Sequence, residues 1–195
     1  MANVIVTIDR FGALNAFQFS SVAPAGWAGP QLLNCPNLVP GSPVAVFAQS
    51  PTLYTALTID STGTLNIASF DASSGWQSLE SIGETSFVPG APIAVFSQPI
   101  GTNIALTIDR NGVLNTVSFD AKGDPDGPTT YGNTSFVPGS PIAVVQDGST
   151  YSAVIVDGNG VLNSFVWNAS NGWDGPDTTG TSAGMPASAI AAITS

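Results

Sequence analysis

Histidine is absent from this 195-residue sequence, and basic residues are nearly so: Arg10, Arg110 and Lys122 stand against 13 acidic residues, a net charge of −10. Without histidine there is no Ser-His-Asp or Cys-His catalysis, no His-ligated metal and no usual general base near neutral pH. The negative charge repels phosphate backbones and anionic lipid surfaces, which makes nucleic acid and membranes poor partners. A non-enzymatic role is therefore favoured over an enzyme.

Cysteine and long apolar runs are also scarce. Cys35 is the single cysteine, so no intrachain disulfide can form. No apolar run approaches the roughly 18 residues of a membrane span, and the first residues lack the basic and apolar regions of a secretory signal. We expect no membrane insertion and, by default, a cytoplasmic location, with non-classical release left open. The acidic residues match no calcium loop, so we expect no metal and no cofactor.

What the sequence has instead is a repeat. The pattern Thr-Ile-Asp-x-x-Gly-x-Leu-Asn occurs, with changes in the last copy, at Thr7–Asn15, Thr58–Asn66, Thr107–Asn115 and Ile155–Asn163. A second string, Val-Pro-Gly-(Ser/Ala)-Pro-(Val/Ile)-Ala-Val, occurs at Val39–Val46, Val88–Val95 and Val137–Val144, with a degraded copy at Met185–Ala192. Successive copies of the repeat Asp are 51, 49 and 48 residues apart. Units of this length cannot bury their apolar faces alone, so they stack.

Each unit has the pattern of four short strands separated by turns. The last complete unit predicts strands at Pro141–Val145, Tyr151–Val156 and Val161–Asn168, and a short one ending near Thr178. In each Asp-x-x-Gly turn, we expect the Asp to accept hydrogen bonds from the amides two and three residues on. The Gly should adopt a positive φ. Four asparagines at one phase of the repeat are predicted to bridge the turn or a neighbouring unit or, alternatively, to donate to a hydroxyl of a ligand: Asn15, Asn66, Asn115 and Asn163.

Four strands in a unit of this length are typical of a β-propeller blade. The N-terminus begins at a second strand, Val4–Ile8, and the C-terminus supplies an orphan first strand, Ser188–Ile193. We therefore predict an all-β fold, a small propeller with four four-stranded blades, one of them completed by both termini. Its blades comprise residues 185–195 plus 2–35, 39–87, 88–136 and 137–182. The alternative is a domain-swapped pair that makes a larger ring from two chains.

The repeat resembles the tandem-repeat β-propeller lectins of bacteria and fungi, the fucose-binding type of propeller. The resemblance lies in the Pro-Gly-(Ala/Ser)-Pro-(Ile/Val)-Ala-Val strand, the Asp-Gly type hairpin and a Gly-Trp turn, here at Gly26-Trp27, Gly75-Trp76 and Gly172-Trp173. It implies sugars bound between neighbouring blades against Trp or Tyr faces. Two features depart from that family: its members usually have more blades, and their third strands often end in Trp-Trp. The third unit has Gly123-Asp124-Pro125 instead of Gly-Trp.

Candidate binding residues follow from these positions. Trp27, Trp76 and Trp173 are predicted either to stack on a sugar or to cap the outer strand of their blade. Strand-end aromatics are predicted to be core residues, with the indole of Trp167 as a further binding candidate: Phe19, Phe70, Phe119 and Trp167. Three polar residues that follow these aromatics are predicted to begin turns and are also candidates for accepting a hydroxyl: Asp71, Asp120 and Asn168.

The sequence thus predicts a lectin with several equivalent, weak sites that gain strength through multivalency. Its expected partners are glycans or small neutral sugars, with a homo-oligomer possible. Two alternatives stay open. One is a propeller scaffold for protein–protein interaction or self-assembly without a small ligand. The other is a cofactor-free enzyme that uses an apolar pocket.

Overall fold

The structure is a computed structural model that describes residues 3–20, 26–35, 37–83, 86–98, 101–132, 136–168, 172–182 and 184–185. These residues contain strands and no helix. The strands are β1 (Asn3–Ile8), β2 (Leu14–Ser20), β3 (Gly26–Leu33), β4 (Ala45–Ala48), β5 (Leu53–Ile59), β6 (Leu65–Asp71), β7 (Gly75–Ile82), β8 (Ala94–Ser97), β9 (Asn103–Ile108), β10 (Leu114–Phe119), β11 (Pro125–Tyr131), β12 (Ala143–Asp147), β13 (Thr150–Val156), β14 (Val161–Asn168) and β15 (Gly172–Ser182).

The strands form four antiparallel sheets in chain order. Sheet 1 contains β1–β3, sheet 2 β4–β7, sheet 3 β8–β11 and sheet 4 β12–β15, and in each the strands pair with their sequence neighbours. The prediction of an all-β fold with four strands per repeat is confirmed for sheets 2 to 4. Two of the strands predicted for the last unit have other bounds: its first strand is Ala143–Asp147 and not Pro141–Val145, and its last strand continues to Ser182, beyond the predicted end near Thr178. The predicted closing strand Ser188–Ile193 lies outside the described residues, so closure by both termini stays a prediction.

The repeat Asp shapes the hairpin turn between the second and third strands of a unit. Asp60 Oδ1 accepts hydrogen bonds from the amides of Thr62 (2.9 Å) and Thr64 (3.0 Å). The second donor is thus four residues on, and not three as predicted, because Asp60 N also pairs with Thr64 O across the turn (3.0 Å). The positive φ predicted for the glycine is confirmed, with φ 86° at Gly63. A side chain there would also collide with the Phe87 carbonyl, which a Cβ would approach to 2.2 Å.

The repeat asparagines stabilise the same turn. In each unit the amide nitrogen donates to the backbone carbonyl two residues earlier, at 2.9 to 3.0 Å, as Asn66 does to Thr64. Asn66 also donates to Asp60 Oδ2 (3.1 Å). All four asparagines are buried, and a buried amide needs such partners. The structural interpretation of these residues is confirmed.

The sheets pack face to face through three apolar cores. Leu14 and Phe70 are fully buried between sheets 1 and 2. Ile59 and Phe119 are fully buried between sheets 2 and 3, and sheets 3 and 4 enclose Leu106 in the same way. The prediction that Phe70 and Phe119 are core residues is confirmed. This stacking leaves clefts between the outer parts of neighbouring sheets, and a pocket lies in the cleft between sheets 3 and 4.

Candidate functional site

A pocket of about 270 Å³ lies between sheets 3 and 4. Sheet 3 supplies most of its lining, from the end of β8 and from β9 to β11, whereas sheet 4 supplies two tryptophans. The lining residues are Gln98, Thr102, Ile104, Thr116, Ser118, Asp126, Thr129, Tyr131, Trp167 and Trp173. The pocket thus combines an aromatic wall with hydroxyls, an amide and a carboxylate.

The aromatic wall is formed by Trp167 and Trp173, which lie directly opposite each other on β14 and β15. Both indoles are half-buried, so each keeps part of its surface accessible. Neighbouring rings support them: the centroid of Trp173 is 6.4 Å from that of Tyr131, and the centroid of Trp167 is 5.9 Å from that of Tyr151. Held in this way, the wall is pre-organised for a flat apolar face of a ligand.

The polar side of the pocket comes from β10 and β11. Thr116 pairs with Thr129, and Ser118 pairs with Asp126, so these four side chains lie in two adjacent rows of one face. Thr116 is buried at the inner end, whereas Asp126 and Thr129 are exposed at the rim. Hydroxyls and a carboxylate in this arrangement can donate to and accept from several ligand hydroxyls at once.

Gln98 is the least satisfied group in the pocket. Its side chain is 6% exposed, and its Nε2 atom is buried with no hydrogen-bond partner. An unpaired buried donor costs roughly 1–3 kcal/mol. Gln98 is thus a pocket residue whose amide donor has no partner among the described residues.

Trp76 has a different environment in the cleft between sheets 1 and 2. Its indole nitrogen donates to the Gln31 carbonyl (3.0 Å), and its ring packs against Phe70 with the centroids 5.1 Å apart. The Gln18 side chain crosses the same cleft and donates to the Ala72 carbonyl (2.8 Å). Protein groups therefore contact the Trp76 indole on the side that faces sheet 1.

The cleft between sheets 2 and 3 lacks a tryptophan. In the other sheets the Gly-Trp indole lies opposite the strand-end aromatic, but in sheet 3 Pro125 takes that position opposite Phe119. Phe119 instead packs against Phe47, with centroids 5.1 Å apart. The missing Gly-Trp motif of the third unit thus removes an aromatic wall from this cleft.

Trp27 lies on a face of sheet 1 that no described sheet covers. Its side chain is 53% exposed, and its ring is 5.3 Å from that of Phe19, which is half-buried. Among the described residues no group opposes this indole across a cleft. The three Gly-Trp tryptophans are therefore in three different environments.

The predicted acidic candidates act in turns. Asp71 accepts hydrogen bonds from the amides and hydroxyls of Ser73 and Ser74, led by the Ser73 hydroxyl, which lowers the pKa of the carboxyl to about 2. Asp120 accepts from the amides of Asp124 and Lys122, and the pKa of its carboxyl is lowered, chiefly by the bond from Asp124. The expected turn geometry is confirmed for both residues. Asn168 pairs with Gly172 at the end of β14, next to Trp167.

A second cavity, of about 190 Å³, lies between the chain that follows sheet 1 and the hairpin end of sheet 2, and includes Cys35, Asp60 and Asn66 in its lining. Burial raises the pKa of the Cys35 thiol, which keeps it protonated and poorly nucleophilic. Among the described residues, no cluster of three or more Cys, Asp or Glu side chains could hold a metal ion. No helix in those residues is long and apolar enough to cross a membrane.

Sequence reasoning identified the tryptophans of the pocket but missed its polar side. Gln98, Asp126 and Tyr131 were not singled out, because they belong to the unit that lacks the Gly-Trp motif. A signal was present: Gln49 and Gln98 stand at the same phase of the repeat, directly after the first strand.

Comparison with family models finds no match, and neither does comparison with the sequences of curated proteins. Solved structures do match. The BP39L lectin of Burkholderia pseudomallei superposes with a TM-score of 0.84 at 23% identity, over 95% of this chain and 54% of that one. The six-bladed β-propeller lectin of Aleuria aurantia gives 0.60 at 16% identity, over 94% and 55%. AofleA of Arthrobotrys oligospora gives 0.62 at 14% identity, over 86% and 50%.

The chain spans about half the length of these solved structures. At such identities the match concerns the fold, and the repeat, the sheet order and the superposition agree on it. The chain has the all-β fold of the β-propeller lectins.

Proposed function

We propose that the protein is a lectin that binds a small neutral sugar in the pocket between sheets 3 and 4. The observation that carries this proposal is the unpaired Nε2 of buried Gln98, which lines the same pocket as Trp167 and Trp173. The apolar C–H face of a sugar ring can pack against the two indoles. Its hydroxyls can form hydrogen bonds with Gln98 and with the polar side chains of β10 and β11. A protein with a net charge of −10 and three basic residues suits an uncharged ligand.

Fucosides are the first sugars to test. The Aleuria aurantia lectin has been solved with α-methyl-L-fucoside and with Fucα1-6GlcNAc, and SapL1 lectin with α-methyl fucoside. These lectins share the fold of this chain. The proposal extends their ligand class to this pocket, because its aromatic wall and hydroxyl-rich floor suit a methyl-bearing neutral sugar.

We propose one strong site within each chain and not several equivalent ones. In the cleft between sheets 1 and 2 the Trp76 indole is already engaged by protein groups, and the cleft between sheets 2 and 3 has Pro125 where the tryptophan would be. Multivalency would then depend on assembly of several chains.

The test is calorimetric titration with α-methyl-L-fucoside, followed by a panel of neutral monosaccharides. We expect one site per chain in the pocket between sheets 3 and 4, and a loss of about 1.4 kcal/mol, roughly tenfold in affinity at that site, for Trp173→Ala. Trp76→Ala is the matched control: it removes the equivalent indole where protein groups already engage it, so it should lower stability and leave the affinity of the folded protein unchanged. A blank panel, or equal affinity losses for both variants, would refute the proposal.

A further inference from the structure

Sheets 1 and 4 each present one uncovered face. In β5 the residues Tyr54–Ile59 are all buried, as are Asn103–Ile108 in β9, since these strands lie between two neighbouring sheets. In β1 burial alternates, and Ile5 on the outer side is 48% exposed. In β13 it also alternates, and Ser152 and Val154 on the outer side are only half-buried. Alternation shows that one face of each end sheet lacks a partner sheet among the described residues.

Both uncovered faces are apolar. On sheet 1 the face contains Ile5, Trp27 at 53% exposure and Leu32 at 62% exposure. On sheet 4 it contains half-buried Val154 and Val166. Exposed large apolar side chains on a sheet face without a partner, as on sheet 1, are typical of an interaction surface. At each internal junction, one sheet packs on the sheet that comes next in the chain. Sheet 4 exposes the face that would pack on a next sheet, and sheet 1 exposes the face that would pack on a previous one.

An arginine shows how one internal junction is held. Arg110 of sheet 3 donates from Nε to the Phe87 carbonyl (2.7 Å) and from Nη2 to the Thr62 carbonyl in the hairpin of sheet 2 (2.8 Å). Arg10 holds the same position of the repeat in sheet 1, directly after the repeat Asp. No described sheet precedes it, and its guanidinium lies over the ring of Phe11, 4.6 Å from the centroid.

Sheet 4 carries the acceptors that such an arginine needs. In sheets 2, 3 and 4 the chain that leaves the sheet forms the same backbone hydrogen bond to the glycine of the Asp-x-x-Gly turn. The bonds are Phe87 N to Gly63 O (3.0 Å), Phe136 N to Gly112 O (3.3 Å) and Gly184 N to Gly160 O (3.2 Å). By this equivalence Gly184 corresponds to Phe87, and Asn159 corresponds to Thr62. The carbonyls of Asn159 and Gly184 in sheet 4 are thus equivalent to the Thr62 and Phe87 carbonyls that Arg110 binds in sheet 2.

We propose that a second copy of this chain covers both faces, with sheet 1 of each copy packed on sheet 4 of the other. Arg10 of one copy then donates to the carbonyls of Asn159 and Gly184 of the other. Contacts of this head-to-tail kind form a ring when the rotation closes. Two copies give eight sheets, within the usual propeller range of about 4–8 blades. This is the two-chain ring that the sequence left open as an alternative.

The superposition favours a second copy over closure within one chain. A closed ring of four blades turns each blade by about 90° from its neighbour, whereas larger rings turn each blade less. The four sheets follow the BP39L lectin with a TM-score of 0.84 while spanning 54% of that chain. They therefore form an arc that corresponds to about half of a longer chain, which leaves room for another copy.

The junction has a consequence for ligand binding, and this consequence rests on the proposed function, whereas the junction itself does not. Trp27 of one copy would face the outer side of sheet 4 of the other. On that side of sheet 4, Asp174 lies opposite Val166. Asp126, in the pocket between sheets 3 and 4, lies opposite Ser118 at the equivalent position of sheet 3. Assembly would thus add one pocket per chain.

The test is sedimentation velocity with multi-angle light scattering on the full chain over the micromolar range. We expect the mass of two chains. Ile5→Glu should give the mass of one chain, because the charge would be buried in the junction. Leu79→Glu is its control, since Leu79 is 38% exposed on an outer strand of sheet 2, away from both faces. Arg10→Ala removes two charge-assisted hydrogen bonds at each of two junctions, so the dissociation constant should rise about a hundredfold. Lys122→Ala is its charge-matched control.

A parent protein with the mass of one chain would overturn the proposal, as would a mass above two chains. A two-chain mass that Ile5→Glu and Arg10→Ala both leave unchanged would also overturn it, because another surface would then hold the dimer. If Ile5→Glu fails to fold by circular dichroism, Leu32→Glu repeats the test at a more exposed position of the same face. A dimer that binds no sugar would contradict the proposed function and leave the junction intact.

Discussion

The substitution Gln98→Met tests whether the Gln98 amide serves ligand binding or the stability of the fold. Methionine has nearly the size and shape of glutamine but no amide, so the pocket keeps its packing and loses the unpaired Nε2. If Gln98 serves a sugar, removal of its amide should stabilise the free protein and weaken binding. Stability and affinity should therefore change in opposite directions.

The expected magnitudes follow from the burial of this one atom. An unpaired buried donor costs roughly 1–3 kcal/mol, and recovery of about 1 kcal/mol would raise the Tm by about 2–4 °C in a protein of this size. Loss of a hydrogen bond to a sugar hydroxyl should weaken binding by about 1.4 kcal/mol, or roughly tenfold.

Differential scanning calorimetry of the free protein and calorimetric titration with α-methyl-L-fucoside measure the two effects. Gln49→Met is the matched control, because Gln49 has the same position in sheet 2 but is only half-buried. It should change neither quantity appreciably. A lower Tm for Gln98→Met would refute the reasoning, since it would show that the amide has a stabilising partner. Unchanged affinity would show that the ligand does not use it.

Three further predictions concern the scaffold. Thr55→Val should raise the free energy of unfolding by about 1 kcal/mol in urea titration, because the buried Thr55 hydroxyl has no partner; a decrease would contradict this. Asp60→Ala should lower it by about 2 kcal/mol, since the amides of Thr62 and Thr64 and the Asn66 side chain lose their acceptor, whereas Asp71→Ala in an exposed turn should matter much less. Equal effects would refute this ranking. Burial raises the pKa of Asp60, but hydrogen bonds from Thr62, Thr64 and Asn66 outweigh it and lower that pKa below its ordinary value of 3.8. A lowered pKa in the folded state means that this stabilisation is complete above about pH 4 and is lost as the pH falls further. Urea titrations of the parent should show that decline, and Asp60→Ala should reduce its slope.

The local structure was predictable because its causes lie within a few residues. The Asp-x-x-Gly turn forms from its own carboxylate, two amides and a glycine at φ 86°, all within five residues of Asp60. Asn66 was expected to bridge the turn, and its partners Thr64 and Asp60 are equally near. The second amide donor was misplaced by one residue, because backbone pairing across the turn sets which amide faces the carboxylate.

The site was predictable only in part because its two walls come from different repeats. Trp167 and Trp173 stood out as indoles at marked positions of one unit. Gln98 and Tyr131 belong to the preceding unit and have no motif of their own. Nor does the sequence distinguish Trp76 from Trp173, since both follow a glycine at the same phase. What separates them is the facing sheet: the Gln31 carbonyl accepts a hydrogen bond from the Trp76 indole, whereas Trp173 lines an open pocket.

The sequence by itself determined the all-β class, most of the strands and the turns between them, because the side-chain pattern of a strand and the chemistry of a turn are properties of short segments. Only the tertiary structure decided which cleft stays open, which tryptophan faces it and which apolar faces lack a partner. Those outcomes depend on the volumes and hydrogen-bond partners that one sheet presents to the next, and repeats with the same local pattern differ in these.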